Sequence, residues 1–89
     1  MLFAVICRDK PGALDIRKAT REAHLAYIQK TGIVDMAGPL IEGGQMAGSL
    51  VILKADSADQ ALAWTRDDPY AHAGLFQSVE VIEWKKVIG

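Results

Sequence analysis

Two short runs limit what this chain can become. In "LFAVIC", residues 2–7, Phe3, Val5 and Cys7 alternate with Leu2, Ala4 and Ile6, so both faces are apolar. In "GSLVIL", residues 48–53, Leu50 and Ile52 oppose Val51 and Leu53, again with no polar face. A strand that lies on a core with one face and in water with the other alternates apolar and polar residues. These two strands need cover on both sides.

The remaining punctuation gives the order of elements. Arg8 to Gly12 carry turn chemistry, with Pro11 and Gly12 adjacent. Residues 13–31 predict a helix stopped by Gly32. Residues 33–40 predict a second strand that ends at or just past Gly38-Pro39. "EGGQ", residues 42–45, is a hairpin turn, and residues 47–54 form the third strand. Ser57 with Gln60 three residues on has the spacing of a capping box and opens a second helix. Asp68 stands before Pro69, which pushes it out of helical geometry and ends that helix. "PYAHAG" holds one further turn with Pro69 at its first position. Residues 75–84 predict the fourth strand.

The order is β-α-β-β-α-β within one domain spanning residues 1–89, the split βαβ or ferredoxin-like α+β pattern. Right-handed crossovers place both helices on one face of a four-stranded antiparallel sheet. The other face is then bare, yet its strands are apolar. A second copy packed on it, giving a dimeric α/β barrel, is the simplest cover. The 51% of hydrophobic residues leaves enough apolar surface for such a homodimer.

A net charge of −1 provides no basic field for nucleic acid or an anionic membrane. No apolar stretch approaches the roughly 18–20 residues of a membrane span. The apolar run at the start is short and is followed, not preceded, by Arg8, which does not fit a signal peptide. Cys7 is the one cysteine. It cannot form an internal disulfide, and a cytoplasmic location is expected.

The first helix carries its chemistry on a line. Arg17, Arg21, His24 and Ile28 fall at steps of four, three and four and share a face. His24 borders an apolar stripe of Leu14, Leu25 and Ile28. Two solvated arginines and a boundary histidine would give the same pattern. The functional alternative is an acid/base histidine with arginines that hold an anionic ligand. In this fold the helices run antiparallel, so "DDPY", residues 67–70, returns near the first half of the first helix. Asp68 can then reach Arg17, Arg21 or His24, and spacing alone does not choose among them.

"REAHLAYI" (residues 21–28), "AGPL" (37–40), "GSLVIL" (48–53) and "DDPYAHAGLF" (67–76) together resemble the YCII-related family of YciI-like proteins. The resemblance spans nearly the whole chain. It implies a ferredoxin-like fold, a dimeric α/β barrel and an architecture like that of muconolactone isomerase. It also implies a histidine–aspartate active site matching His24 and Asp68, with the family arginine at Arg21. One branch removes chloride from a chlorinated hydroxyhydroquinone and has an implicated serine, whose loose counterpart here is Ser49. The resemblance places Pro39 near the cleft, where Tyr70 would form a wall.

The reading that follows is a small-molecule lyase, isomerase or dehydrochlorinase without a cofactor. His24 is the acid/base, Asp68 orients it, and Arg21 with Arg17 holds a carboxylate or phenolate oxygen. A non-catalytic ligand-binding module would use the same pocket. A purely structural dimer would use Asp68 as a cap and ion-pair partner. No metal is expected from His24, His72, Asp67 and Asp68, which lack ligand spacing. "EGGQMAG" lacks the Lys-Ser/Thr of a phosphate loop. Trp64 and Trp84 are assigned to the core or a dimer contact.

Overall fold

The computed structural model describes residues 1–89. The elements are β1 (Leu2–Asp9), α1 (Leu14–Thr31), β2 (Val34–Glu42), β3 (Gln45–Lys54), α2 (Ala58–Asp67), α3 (Pro69–His72) and β4 (Phe76–Trp84). The strands form one antiparallel sheet in the order β2-β3-β1-β4. This is the ferredoxin-like arrangement, with the two apolar strands at its centre.

The helix boundaries follow from local chemistry. Gly32 ends α1 in the left-handed region at φ 65°, and its N–H donates to the Ile28 carbonyl. Ser57 Oγ accepts from the Gln60 N–H, while Gln60 Oε1 accepts from the Asp56 N–H at 2.6 Å. Asp68 is extended at ψ 132° because Pro69 follows it. It therefore ends α2 and opens α3 at once.

Phe3, Val5 and Cys7 of β1 and Val51 and Leu53 of β3 face the helices, where Ala61 and Trp64 of α2 complete the main core. Tyr27 Oη donates to the Trp64 carbonyl at 2.7 Å, and Trp64 Nε1 donates to Thr31 Oγ1 at 2.9 Å. These two bonds fix the antiparallel register of α1 and α2. Gly48 of β3 lies close against β1: a Cβ there would collide with the Cys7 carbonyl oxygen.

The opposite face has no helix on it. Leu50 pairs with Ile6, Ile82 pairs with Ala4 and Trp84 pairs with Leu2, so these side chains share the uncovered side. Met36, Leu50, Ile82 and Trp84 are exposed.

The second strand differs from expectation. It does not stop at Gly38-Pro39 but continues to Glu42, and the turn narrows to Gly43-Gly44. β2 is an edge strand, so the missing N–H of Pro39 removes no bond that the sheet requires. The first strand likewise extends past Cys7 to Asp9, with an irregularity between Arg8 and Asp9.

Candidate active site

α1 does not lie flat on the sheet. Between it and the β2–β3 edge is a cavity of about 200 Å³. Arg17, Arg21 and His24 enter it from α1, Ser49 and Val51 from β3, Pro39 from β2 and Tyr70 from α3. Leu25, Ile28, Ala37, Gly38 and Met46 complete the wall. The seven side chains proposed from sequence thus all line the cavity or, in the case of Asp68, sit directly behind it.

His24 and Asp68 are in contact, both buried. His24 Nδ1 lies 2.9 Å and 3.0 Å from the two carboxylate oxygens. Asp68 Oδ1 also accepts from the Tyr70 backbone N–H at 2.9 Å. The carboxylate is therefore held by the first turn of α3, and the imidazole is held by the carboxylate. Tyr70 adds a third constraint: its ring stacks on that of His24 with centroids 4.0 Å apart and planes 18° apart.

His24 is more deeply placed than a boundary residue. The buried residues of the helix are Arg17 and His24, which face the cavity, while Tyr27 and Ile28 pack partly buried against the main core. Leu25 is 48% exposed at the cavity rim.

Arg17 has a partner that the sequence reading did not supply. Its Nε donates to Asp9 Oδ2 at 2.7 Å and its Nη2 to Asp9 Oδ1 at 2.9 Å, a two-pronged pair. Nη2 also donates to Ser49 Oγ at 2.9 Å. The guanidinium carbon lies 4.7 Å from the centroid of the Tyr70 ring. Burial would push the Arg17 pKa down, but the hydrogen bonds and charge of Asp9 outweigh it and the net direction is up. Asp9 escaped notice because it was assigned to a loop. A signal existed: Arg17 has no acid at i±3 or i±4, since those positions hold Ala13, Leu14, Thr20 and Arg21. Its counter-ion had to come from another element.

Arg21 also lacks a helical acid, with Arg17, Lys18, His24 and Leu25 at those positions. It makes none of the ion pairs in the structure. It is the unpaired cation of the cavity wall. No three potential metal-ligating side chains converge anywhere in the chain.

Cys7 lies behind Ser49, its cross-strand neighbour. Burial first, and then the charge of Asp68, push its thiol up to about 12. Burial and the charges of Asp67 and Asp68 push the Tyr27 phenol up to about 12. In the unfolded chain these protons leave at their ordinary values of 9.0 and 10.0. Between those values and about 12 the folded state holds more protons, so stability falls as pH rises. Urea melts from pH 8 to pH 11 are expected to show this decline, with a shallower slope in Cys7→Ala. Identical slopes would mean that Cys7 ionises freely in the folded protein.

A YCII-related domain is matched by residues 1–85. The chain belongs to this family. It is 34% identical to Protein YciI of Escherichia coli O6:H1, over 98% of this chain and 99% of that one. A chain of Haemophilus influenzae, described as an uncharacterized protein, is also 34% identical over 98% of this sequence. Among solved structures, the 5-chloro-2-hydroxyhydroquinone dehydrochlorinase of Burkholderia phenoliruptrix AC1100 superimposes with a TM-score of 0.89 and 35% identity. The match covers 96% of this chain and 94% of that one, in a complex with 2,5-dihydroxybenzoquinone. An antibiotic biosynthesis monooxygenase shares the fold at a TM-score of 0.61 and 12% identity. No helix is long and apolar enough to cross a membrane.

Proposed function

We propose that this YCII-family chain is a small-molecule enzyme of the lyase, isomerase or dehydrochlorinase type that works by proton transfer. The observation that carries the reading is the His24–Asp68 pair opening on the cavity. With Nδ1–H donating to Asp68, the neutral imidazole keeps its lone pair on Nε2, which has no partner in the protein. A proton leaving an O–H or C–H of the ligand passes to Nε2. The Asp68 carboxylate then stabilises the imidazolium. Such positioned transfer contributes roughly 10²–10⁴-fold to a rate. Arg21 takes the oxyanion left on the ligand.

The cavity dimensions fit this chemistry. A dry cavity of roughly 150 Å³ holds benzene. The about 200 Å³ available here accommodates one substituted ring between walls formed by Leu25, Ile28, Met46 and Val51. The likeness to the dehydrochlorinase supports the same class of ligand. Chloride release from 5-chloro-2-hydroxyhydroquinone, followed with wild type and His24→Ala, tests the proposal. Turnover by wild type that is lost in His24→Ala is expected. Binding without turnover, across halogenated hydroxyquinones and unsaturated lactones, would make the chain a ligand-binding module.

The same proposal makes the working unit a cytoplasmic homodimer joined through the uncovered sheet face. Sedimentation at micromolar concentration is expected to give twice the chain mass, and Leu50→Lys the single mass. A wild-type monomer across that range would remove the barrel from the proposal.

A further inference from the structure

Arg17 lines the cavity and bonds to Asp9 behind it and to Ser49 in its wall. It is 3% exposed, and two of its nitrogens are committed within the protein. Asp9, on the far side of the guanidinium, fixes its plane through two bonds. That plane directs Nη2–H at Ser49 Oγ. A guanidinium donates and never accepts. Ser49 must therefore receive this bond through an oxygen lone pair, and its own hydroxyl hydrogen is left to point elsewhere. No other side chain or backbone acceptor in the protein takes that hydrogen, and Ser49 lines the cavity.

We infer that Arg17, held by Asp9, is a positioning residue that fixes the Ser49 hydroxyl as a hydrogen-bond donor into the cavity. The inference rests on the reading of this cavity as the ligand site, and it narrows the ligand. A serine hydroxyl is ordinarily free to donate or accept. Here one of the two oxygen lone pairs is already taken by a charged donor, and that donor makes the O–H more polar. The cavity then offers Ser49 O–H and the Arg21 guanidinium as donors, with His24 Nε2 as its one side-chain base. The class that fits has one acidic hydrogen for His24 and at least two acceptor oxygens, one of them anionic: an enolate, a hydroxyquinone or a phenolate. A ligand donor opposite Ser49 could use only the second oxygen lone pair, and would leave the hydroxyl hydrogen without an acceptor.

The claim differs from a direct ligand role for Arg17 and from a merely structural ion pair, and it can be tested without a ligand. The test chain is Ser49→Cys, in which a thiol replaces the hydroxyl. A donor from Arg17 stabilises the thiolate, whereas an apolar wall disfavours it. The ionisable groups packed around this corner are Arg17 and His24 of α1, Asp9 and Cys7 of β1, and Asp68 and Tyr70 at the α2–α3 junction. Thiolate absorbance of Ser49→Cys, taken as a difference from wild type, cancels the native groups. Cys7 in any case stays protonated up to about 12.

The same measurement is made in the Asp9→Leu/Arg17→Met background. This removes both charges together, so neither is orphaned, and such exchanges are often neutral for folding. An acid dissociation constant about tenfold or more higher with Arg17 present is the expected result, since an adjacent cation shifts an acid by a unit or more. Equal constants in the two backgrounds would overturn the inference. Should the double variant not fold, Arg17→Lys in the Ser49→Cys chain carries the measurement. A single ammonium cannot hold Asp9 at two points and also reach Ser49, so the constant is expected to fall.

A second arm uses 2,5-dihydroxybenzoquinone as the probe. Ser49→Ala is expected to weaken its binding about tenfold in the native background, as for loss of one hydrogen bond to a charged ligand. In the Asp9→Leu/Arg17→Met background the same change is expected to cost less than about twofold. A larger loss on removing Arg17 than on removing Ser49 would show that Arg17 reaches the ligand itself, against the inference. A thiol that responds to Arg17 in a protein that does not bind the quinone would sink the proposed function and leave the positioning role standing.

Discussion

Arg17→Ala is expected to destabilise the fold by about 3–5 kcal/mol, the usual cost of removing one partner of a buried ion pair. Both oxygens of Asp9 are held by Arg17, and the two side chains are 5% and 4% exposed. Without the guanidinium the carboxylate is left in an apolar setting with no counter-ion. A domain of this size has a stability of only some 5–15 kcal/mol at best, so the loss is a large fraction of the total. Asp9→Ala should cost a similar amount, because it orphans the cation instead. The loss in Arg17→Ala should shrink at acid pH, where the lone carboxylate takes up a proton and loses its charge. Urea unfolding of both single variants at two pH values measures this. A cost below about 1 kcal/mol would be that of a solvent-screened surface pair, and the buried status of the pair would have to be abandoned.

That pair shows why part of the site was legible in the sequence and part was not. The order of elements could be read because each boundary has a local cause: Gly32 in the left-handed region, Ser57 with Gln60, Asp68 before Pro69. The two-faced strands could be read because alternation is a period-two signal. His24 and Asp68 came from the four matched blocks; the antiparallel helices brought Asp68 near α1 but left Arg17, Arg21 and His24 as alternative partners. Local rules failed where tertiary position decides. Gly38-Pro39 look like a stop, but an edge strand tolerates them. Arg8 to Gly12 look like a loop, but β1 runs on far enough for Asp9 to meet Arg17.

The first helix failed differently. An apolar stripe normally marks the buried side of a helix, and Leu25 and Ile28 appeared to mark it here. That rule assumes that the helix packs against something apolar along its length. Over part of its length α1 instead stands over a cavity, and there the side facing inward is the one that carries Arg17 and His24. Of the stripe that looks like a core contact, Ile28 packs on the core and also lines the cavity, while Leu25 forms the rim. Polar residues at helical spacing with no acids beside them were the better indicator of which face points in.

The largest effect on function is expected from Asp68→Asn, with little change in fold. The amide has the shape of the carboxylate, so Oδ1 can still accept from the Tyr70 N–H and start α3. The other position, now an NH₂ group, replaces the oxygen 3.0 Å from His24 Nδ1, while Oδ1 stays 2.9 Å from it. Where the carboxylate accepted a hydrogen, the amide donates one. Where that donation outweighs the remaining contact with Oδ1, Nδ1 carries the lone pair and the proton of the neutral ring moves to Nε2. The nitrogen facing the cavity becomes a donor and is no longer a base. Exchange of tautomer alone is expected to reduce proton transfer by about 10²–10⁴-fold, the whole contribution of a positioned base. Stability should change by no more than about 1.5 kcal/mol, because the hydrogen bond is reversed and not lost. Nitrogen NMR of His24 reads the tautomer directly: Nδ1–H in the wild type and Nε2–H in Asp68→Asn. His24→Ala distinguishes base from scaffold, since it removes both nitrogens and the stack on Tyr70. If chloride release from 5-chloro-2-hydroxyhydroquinone survives in Asp68→Asn with the tautomer switched, Nε2 is not the base. If the tautomer does not switch, Oδ1 alone holds Nδ1–H, and activity should then survive in Asp68→Asn.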